Sequence, residues 1–264
     1  MFRLQRTVPC HENDGFTLVE MLVVIGIIGI LAALLLPTLS KAKAQARSTA
    51  CNNHLSQIGR AMAMYVSDYT RYPPLWGGNG APSSFQMWPE RLHPYALLNW
   101  TNKAWHCPAY IADNGIVQFI KPPEGGGKFV AWTSYAYNAL GIRGDVGPDG
   151  LGLGTFPPSA TRENELQAPS EMYTIADARA FKFGSLGGPA GFPEMQPWSG
   201  PGRRESEMPA PHSQSYNILF GDSHVAQVKR NDYLYPPRTA SHWNRDNQPH
   251  PELWAPRTEW AVQN

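Results

Sequence analysis

The chain has 264 residues, of which 16% are charged, and its formal net charge is +1. Positive and negative charges nearly cancel, which excludes a strong overall positive electrostatic field that would attract nucleic acid or an acidic lipid surface. The 24 glycines and 25 prolines predict short strands joined by turn-rich loops rather than a helical bundle. Once the N-terminal segment is set aside, one globular region of modest size remains.

Residues 1–15 are predicted to be a leader that is removed during processing. They carry Arg3, Arg6, Glu12 and Asp14 and have no apolar face. A segment of this kind is typical of processing rather than of a packed fold.

Residues 16–36 are predicted to form a transmembrane helix. Only Thr17 and Glu20 interrupt an otherwise apolar run of 21 residues, and a helix needs about 20 residues to cross a hydrocarbon core. The alternative is an ordinary secretory signal, because Ala42-Lys43-Ala44 imitates its cleavage pattern. That alternative is less favoured, since the apolar region of a secretory signal usually has about 7–15 residues and does not need a carboxylate.

Residues 37–70 are predicted to continue the helix into an amphipathic half. Pro37 removes a backbone donor and predicts a kink at the membrane exit. Apolar residues then recur at helical spacing, which predicts one stripe that packs on the rest of the protein. The stripe consists of Cys51, Leu55, Ile58, Met62, Tyr65 and Tyr69.

Residues 71–228 are predicted to form an ectodomain with a small antiparallel sheet packed on this stripe, which makes the fold class α+β. Aromatic and β-branched residues predict its strands at Gly115–Ile120, Phe129–Tyr137, Glu171–Ala176, Ser215–Phe220 and His224–Val228. Residues 229–264 have no clear period, so they are either a tail laid over the sheet or a poorly ordered end.

The stretch Gly15-Phe16-Thr17-Leu18-Val19-Glu20 resembles the cleavage and methylation motif of type IV pilins and type II secretion pseudopilins. The resemblance implies a pilin-like fold and cleavage after Gly15 by a prepilin peptidase. It also implies N-methylation of Phe16 and extraction of the helix from the cytoplasmic membrane into a filament. Pro37 falls where pilins often have a helix-bending proline.

A second resemblance covers the end of the helix and the ectodomain. Residues 51–65 and Arg71-Tyr72-Pro73-Pro74 are similar to pseudopilin-like proteins of unassigned role, which often carry His, nine residues and then Asp-Gly. Here His212 is followed by nine residues and then Asp222-Ser223. Serine in place of glycine allows the same hairpin turn less comfortably.

Glu20 is the residue with the strongest functional expectation, because a carboxylate in hydrocarbon is costly unless it is paired. Cleavage after Gly15 would create a cationic amine on Phe16. The resemblance implies that Glu20 meets the Phe16 amine of a neighbouring subunit. The alternative is that Glu20 lies near the headgroups and only reaches towards water.

The three cysteines are too few and too widely spaced for a zinc ribbon or a disulfide framework. If the leader is removed, Cys10 is lost with it and Cys51 and Cys107 remain. A Cys51–Cys107 disulfide and two buried free thiols are both open.

A candidate metal site combines Asp177, His212, Asp222 and His224, because strand ends can bring two carboxylates and two imidazoles together. Zinc and calcium are the candidate ions. The structural alternative is that Asp222 and Ser223 shape a turn and His212 bonds the backbone. The loop at residues 145–150 is a weaker calcium candidate, because it lacks a dense set of oxygen ligands.

No compact catalytic motif is present, so the chain is not expected to be an enzyme. We therefore expect a structural pilin or pseudopilin subunit whose partners are the prepilin peptidase, other subunits and the inner-membrane assembly machinery. The alternative is a single-pass anchored module that binds an extracellular polymer or cargo without forming filaments. Its nine tryptophans would then supply a binding face, although packing is their default role.

Overall fold

The computed structural model describes residues 17–75, 77, 86–96, 106–109, 134–143, 150–154, 160–177, 181–182, 189–190, 212–233 and 236–253. The chain divides into two compact units, Met1–Lys43 and Ala44–Asn264. Gly15, Phe16 and the predicted strand Gly115–Ile120 lie outside the described residues, as do residues 145–149 of the calcium-candidate loop.

Helix α1 runs from Leu18 to Tyr69, which confirms the predicted long N-terminal helix. It continues through Pro37 as one element, so the boundary between residues 36 and 37 is not a helix end. Two side-chain hydroxyls donate hydrogen bonds to backbone carbonyls near this proline. Thr38 Oγ1 donates to Leu35 O at 2.8 Å, and Ser40 Oγ donates to Pro37 O at 2.8 Å. Neither of these bonds reaches Ala33 O, the carbonyl that loses its partner because Pro37 has no N–H, and hydroxyl bonds of this kind often accompany a bend in a helix.

The second half of α1 buries the predicted stripe. Cys51, Leu55 and Ile58 are at most 1% exposed, and Met62 and Tyr65 are 4% and 7% exposed. Tyr69 was predicted to belong to the stripe, but it is 58% exposed. The stripe therefore ends at Val66, one turn before the end of the helix.

Within the described residues the strands are β1 (Tyr135–Tyr137), β2 (Tyr173–Asp177), β3 (Phe181–Lys182), β4 (Pro189–Ala190), β5 (Ser215–Phe220) and β6 (Val225–Lys229). The main sheet has four antiparallel strands in the order β1-β2-β5-β6. Strands β3 and β4 form a separate two-stranded sheet. Strand β5 has the predicted bounds, whereas β6 begins and ends one residue later than predicted.

The two faces of the main sheet cover different cores. One face, with Tyr135, Tyr137 and Leu219, packs in a cluster with the stripe of α1. The other face packs under the C-terminal residues in a cluster that includes Tyr216 and Trp243. A bulge in β2 between Tyr173 and Ile175 shifts the register there, and these two residues consequently belong to different clusters despite their even spacing.

The C-terminal residues up to Leu253 lie over the sheet, which is the first of the two alternatives for this segment. They form α3 (Arg230–Tyr233) and α4 (Pro236–Trp243), and Trp243 is fully buried. Asn138 joins this segment to the strands, because its Nδ2 donates to Tyr173 O at 2.7 Å and to Trp243 O at 2.8 Å. Helix α2 (Trp88–Ala96) packs Trp88 against Tyr137, with ring centroids 5.4 Å apart.

A three-residue loop, Gly221-Asp222-Ser223, connects β5 and β6. Ser223 N donates to Phe220 O at 3.0 Å and Phe220 N donates to His224 O at 2.9 Å. Ser223 has a φ of 73°, the left-handed conformation that this position of a three-residue hairpin requires and that glycine adopts most easily. The Ser223 hydroxyl compensates by donating to Gly59 O of α1 at 3.1 Å.

Ser223→Ala should be less stable than Ser223→Gly. Alanine keeps the backbone strain and loses the hydrogen bond to Gly59, at a cost of about 1 kcal/mol. Glycine also loses the bond but relieves about 1 kcal/mol of strain, and we expect it to lie close to the wild type. Thermal unfolding of the full chain in detergent micelles measures the order, and equal melting of the two variants would show that the strain is negligible.

Gly152→Ala should destabilise the fold. A Cβ at this position would lie 2.4 Å from Ala139 C and 2.5 Å from Gly141 N, and backbone atoms cannot yield as a side-chain end can. We expect a loss of about 1–3 kcal/mol or more, measured by denaturant unfolding. Gly29→Ala is the matched control, because a Cβ there meets nothing within 4 Å. Equal unfolding midpoints for the two variants would contradict the close approach.

Candidate functional site

The first candidate site is the start of α1, where Glu20 closes the helix end. Glu20 Oε2 accepts from Thr17 N at 2.9 Å and from Thr17 Oγ1 at 2.7 Å. In return, Glu20 N donates to Thr17 Oγ1 at 3.3 Å. This reciprocal pattern is a capping box, which satisfies donors that a helix N-terminus otherwise leaves open. Glu20 therefore has a partner within its own chain, a local contact that the sequence analysis did not identify.

The helix surface that follows Glu20 is apolar and uncovered. Among the described residues α1 is the one helix that is long and apolar enough to cross a membrane, and none of this apolar part is buried. The large apolar side chains along it are between 43% exposed, at Val24, and 77% exposed, at Leu18. An apolar surface of this extent requires lipid or other protein as its neighbour.

The second candidate site is a buried cluster formed by Cys51, Cys107, Asp177 and His212, called here the four-residue cluster. One ligand atom from each residue lies within 4.8 Å of the others, and all four residues are buried. Cys51 comes from α1, Cys107 from the described segment 106–109, Asp177 from the end of β2, and His212 from the turn before β5. The fold thus brings together residues up to 161 positions apart in sequence, from Cys51 to His212.

Asp177 and His212 form the polar half of the cluster. His212 Nε2 lies 3.2 Å from Asp177 Oδ2, and that same oxygen accepts from Asn217 N at 2.7 Å. Burial raises the pKa of the Asp177 carboxyl, while the hydrogen bonds from His212 and from the backbone of Asn217 oppose this change. Asp177 Oδ1 and His212 Nδ1 are buried without a hydrogen-bond partner among the described residues. The polar half therefore has unused bonding capacity.

The cysteines form the other half. The structure joins Cys51 and Cys107 in a disulfide, with Cα atoms 5.2 Å apart, which is the first of the two alternatives that the sequence left open. The position of Cys107 is fixed by its backbone N, which donates to Ser134 Oγ at 2.7 Å. Closing a loop across a sequence separation of 56 residues contributes about 4 kcal/mol to stability in the chain-entropy description.

The predicted set of Asp177, His212, Asp222 and His224 is not brought together as one group. Asp222 and His224 contact each other at the β5–β6 hairpin, where both are exposed. Asp177 lies beside Asn217 in the N-terminal half of β5, and the four residues 218–221 separate Asn217 from Asp222, an offset of five positions or roughly 15 Å at the rise of a strand. Antiparallel pairing places these residues at opposite ends of the sheet, and Cys51 and Cys107 take the places beside Asp177 and His212.

The four-residue cluster is not arranged as a cysteine-protease triad. In such a triad the carboxylate binds one imidazole nitrogen and the thiol binds the other. Here His212 Nε2 faces both Asp177 Oδ2 at 3.2 Å and Cys107 Sγ at 3.2 Å. The arrangement holds polar atoms around a single point instead of forming a relay.

Two of the nine tryptophans fall within the described part of the chain, and both are fully buried: Trp88 and Trp243. These two tryptophans therefore pack in the core, as expected for most tryptophans of the chain, and are not part of an exposed binding face. The remaining seven lie outside the described residues: Trp76, Trp100, Trp105, Trp132, Trp198, Trp254 and Trp260.

Two family models match the chain. The model described as "Prokaryotic N-terminal methylation motif" matches residues 11–36, which include the start of α1. The model described as "Protein of unknown function (DUF1559)" matches residues 40–112, which include the buried stripe and Cys51 and Cys107. The motif recognised at Gly15–Glu20 is confirmed by the first match.

Several characterised proteins are similar to part of the chain. It is 40% identical over 63 residues to type II secretion system core protein G of Pseudomonas aeruginosa, which covers 24% of this chain and 44% of that protein. It is 43% identical over 62 residues to the type IV wide pilus major component PilA4 of Thermus thermophilus, covering 24% and 47%. With competence protein ComGC of Halalkalibacterium halodurans it shares 35% identity over 65 residues, covering 25% and 64%.

The matched part is less than two thirds of each of these relatives, and no solved structure matches the chain. The names of two of these relatives describe a core protein of a secretion system and a major component of a pilus. Together with the motif, they support the recognition of a pilin- or pseudopilin-like chain with a prepilin-type N-terminus, built as a long helix packed on a small antiparallel sheet.

Proposed function

We propose that the chain is a structural subunit of a type IV pilus or a type II secretion pseudopilus. The observation that carries this proposal is the uncovered apolar surface of α1 from Leu18 to Leu36, with Glu20 as its only charged residue. An anchor alone has no use for a carboxylate in this position. A carboxylate is useful in a helix that must pack against identical helices in one register, because a single charge can specify the alignment of otherwise uniform apolar surfaces.

Processing prepares the partner for Glu20. A prepilin peptidase cuts after Gly15, and methylation of the new N-terminus leaves a cationic amine on Phe16. Before assembly the capping box with Thr17 provides donors for the Glu20 carboxylate, which lowers the cost of holding it in the membrane. During assembly the amine of a neighbouring subunit replaces the Thr17 hydroxyl, because a charge-assisted bond is stronger than a neutral one.

The cytoplasmic membrane is the proposed site of the unassembled subunit, with the ectodomain on its outer side. Its partners are the peptidase, other pilin or pseudopilin subunits and the inner-membrane assembly machinery. The exposed apolar part of α1 is then covered in turn by lipid and by the helices of other subunits.

Glu20→Ala should reduce incorporation into filaments about tenfold or more, because it leaves the amine of a neighbouring subunit unpaired in an apolar environment. The measurement is cross-linking between cysteines introduced at Leu18 and Met21, in cells that carry the peptidase and assembly machinery. Wild-type contacts should give a ladder of cross-linked species, and Glu20→Ala should give monomers at an unchanged level in the membrane.

Thr17→Ala is the matched control. It removes the hydroxyl of the capping box but retains the carboxylate, so the ladder should persist. A full ladder from Glu20→Ala would overturn the pairing, and monomers alone from the wild-type chain would instead favour an anchored binding module.

A further inference from the structure

The four-residue cluster has a composition that is unusual for the surroundings of a structural disulfide. Disulfides need no polar neighbours, yet the His212 imidazole lies 3.2 Å from Cys107 Sγ, and an oxygen of the buried Asp177 carboxylate lies within 4.8 Å of both sulfurs. Asp177 and His212 are 1% and 4% exposed, so both are removed from water. Burying such groups is costly unless they are fully bonded, and one atom of each has no partner among the described residues.

We infer that the four-residue cluster is a redox-dependent zinc site. In the oxidised state it contains the Cys51–Cys107 disulfide, as in the structure. In the reduced state the two thiolates, a His212 nitrogen and an Asp177 oxygen bind one Zn²⁺. Two cysteines, one histidine and one carboxylate are ligands that Zn²⁺ accepts in a closed, four-coordinate site.

The distances are close to those that a tetrahedral ion requires. Zinc bonds of about 2.3 Å to sulfur and about 2.0–2.2 Å to nitrogen and oxygen separate nitrogen from oxygen by about 3.4 Å and sulfur from nitrogen by about 3.6 Å. His212 Nε2 is 3.2 Å from Asp177 Oδ2 and 3.2 Å from Cys107 Sγ. His212 Nε2 is thus within a few tenths of an ångström of the required separation from Asp177 Oδ2 and from Cys107 Sγ. The two sulfurs must separate to about 3.8 Å once the disulfide is reduced, and rotation about the Cα–Cβ bonds supplies this movement.

One ligand of the four, Asp177, has the kind of supporting hydrogen bond that metal sites use. Asn217 N donates to Asp177 Oδ2 at 2.7 Å and can hold the carboxylate in place while either of its oxygens binds the ion. His212 Nδ1 has no partner among the described residues, so it can carry the ring proton and leave the Nε2 lone pair facing the cluster.

The reaction that interconverts the oxidised and the zinc-bound reduced state is balanced in atoms and electrons. A dithiol reductant supplies two electrons and two protons to the Cys51–Cys107 bond, its own two thiols become a disulfide, and both cysteines are left as thiols. Zn²⁺ then binds both sulfurs as thiolates, and two protons pass to solvent. Oxidation by a disulfide donor reverses the process and releases the ion. This inference does not depend on filament formation.

The test uses the full chain in detergent micelles, with Cys10→Ser as the reference so that no third thiol is present. The chain is reduced with a phosphine without oxygen and titrated with Co²⁺, which reports tetrahedral thiolate ligation through its absorption. We expect one equivalent of tetrahedral Co²⁺ that Zn²⁺ displaces, and no such absorption from the oxidised chain. Zinc should raise the melting temperature of the reduced chain by about 5 °C or more and leave the oxidised chain unchanged.

His212→Gln and Asp177→Asn keep both cysteines and remove one ligand each. They should form the disulfide normally but bind Co²⁺ at least about tenfold more weakly, without the tetrahedral spectrum. His224→Ala and Asp222→Ala are the matched controls, since these residues form the exposed pair on the hairpin and should bind Co²⁺ as the reference does. A reduced reference chain without tetrahedral Co²⁺, or an unchanged spectrum in both ligand variants, would show a structural disulfide only.

Discussion

Burial of one stripe of α1 against the sheet is the interaction on which the rest of the ectodomain depends. Cys51, Leu55 and Ile58 are almost fully removed from water, and the sheet residues that cover them come from three strands distant in sequence. Burial of apolar surface contributes about 25 cal/mol per Å² to the free energy of folding. The apolar contact between the stripe and the sheet, called here the apolar seam, is therefore the largest favourable contribution available to a chain with few charges. Gly59 lets the β5–β6 hairpin approach the helix, since a Cβ there would lie 2.7 Å from Leu219 Cδ1.

The parts of the fold that follow from local periodicity were predictable. The stripe was correct as far as Tyr65, and β5 has the expected bounds, because spacing of apolar residues reports which face is buried. The prediction that Tyr69 is buried was wrong, because the periodicity of a helix cannot show where the surface that it packs against ends. The bulge in β2 was not predictable either, since it depends on how the strand pairs with its neighbour and places Tyr173 and Ile175 in different cores.

The candidate site was predictable only in part, and the reason is topological. Composition marked Asp177 and His212 as metal-ligand types, and it marked Cys51 and Cys107 as a pair. Sequence reasoning had no means of joining the two sets, because their proximity depends on how α1 lies on the sheet. Asp222 and His224 were grouped with Asp177 by residue type, but antiparallel register places them at the other end of β5.

The attachment of α1 to the ectodomain has a mechanical consequence. If the chain is drawn out of a bilayer during assembly, as we propose, its helix carries a pulling force. Noncovalent contacts yield to a sustained force because local unfolding occurs within about microseconds to seconds. Cys51 lies in the first turns of the buried part of α1 and bonds covalently to Cys107. Tension that arrives along the helix can therefore pass through a covalent link into the ectodomain before it loads the apolar seam.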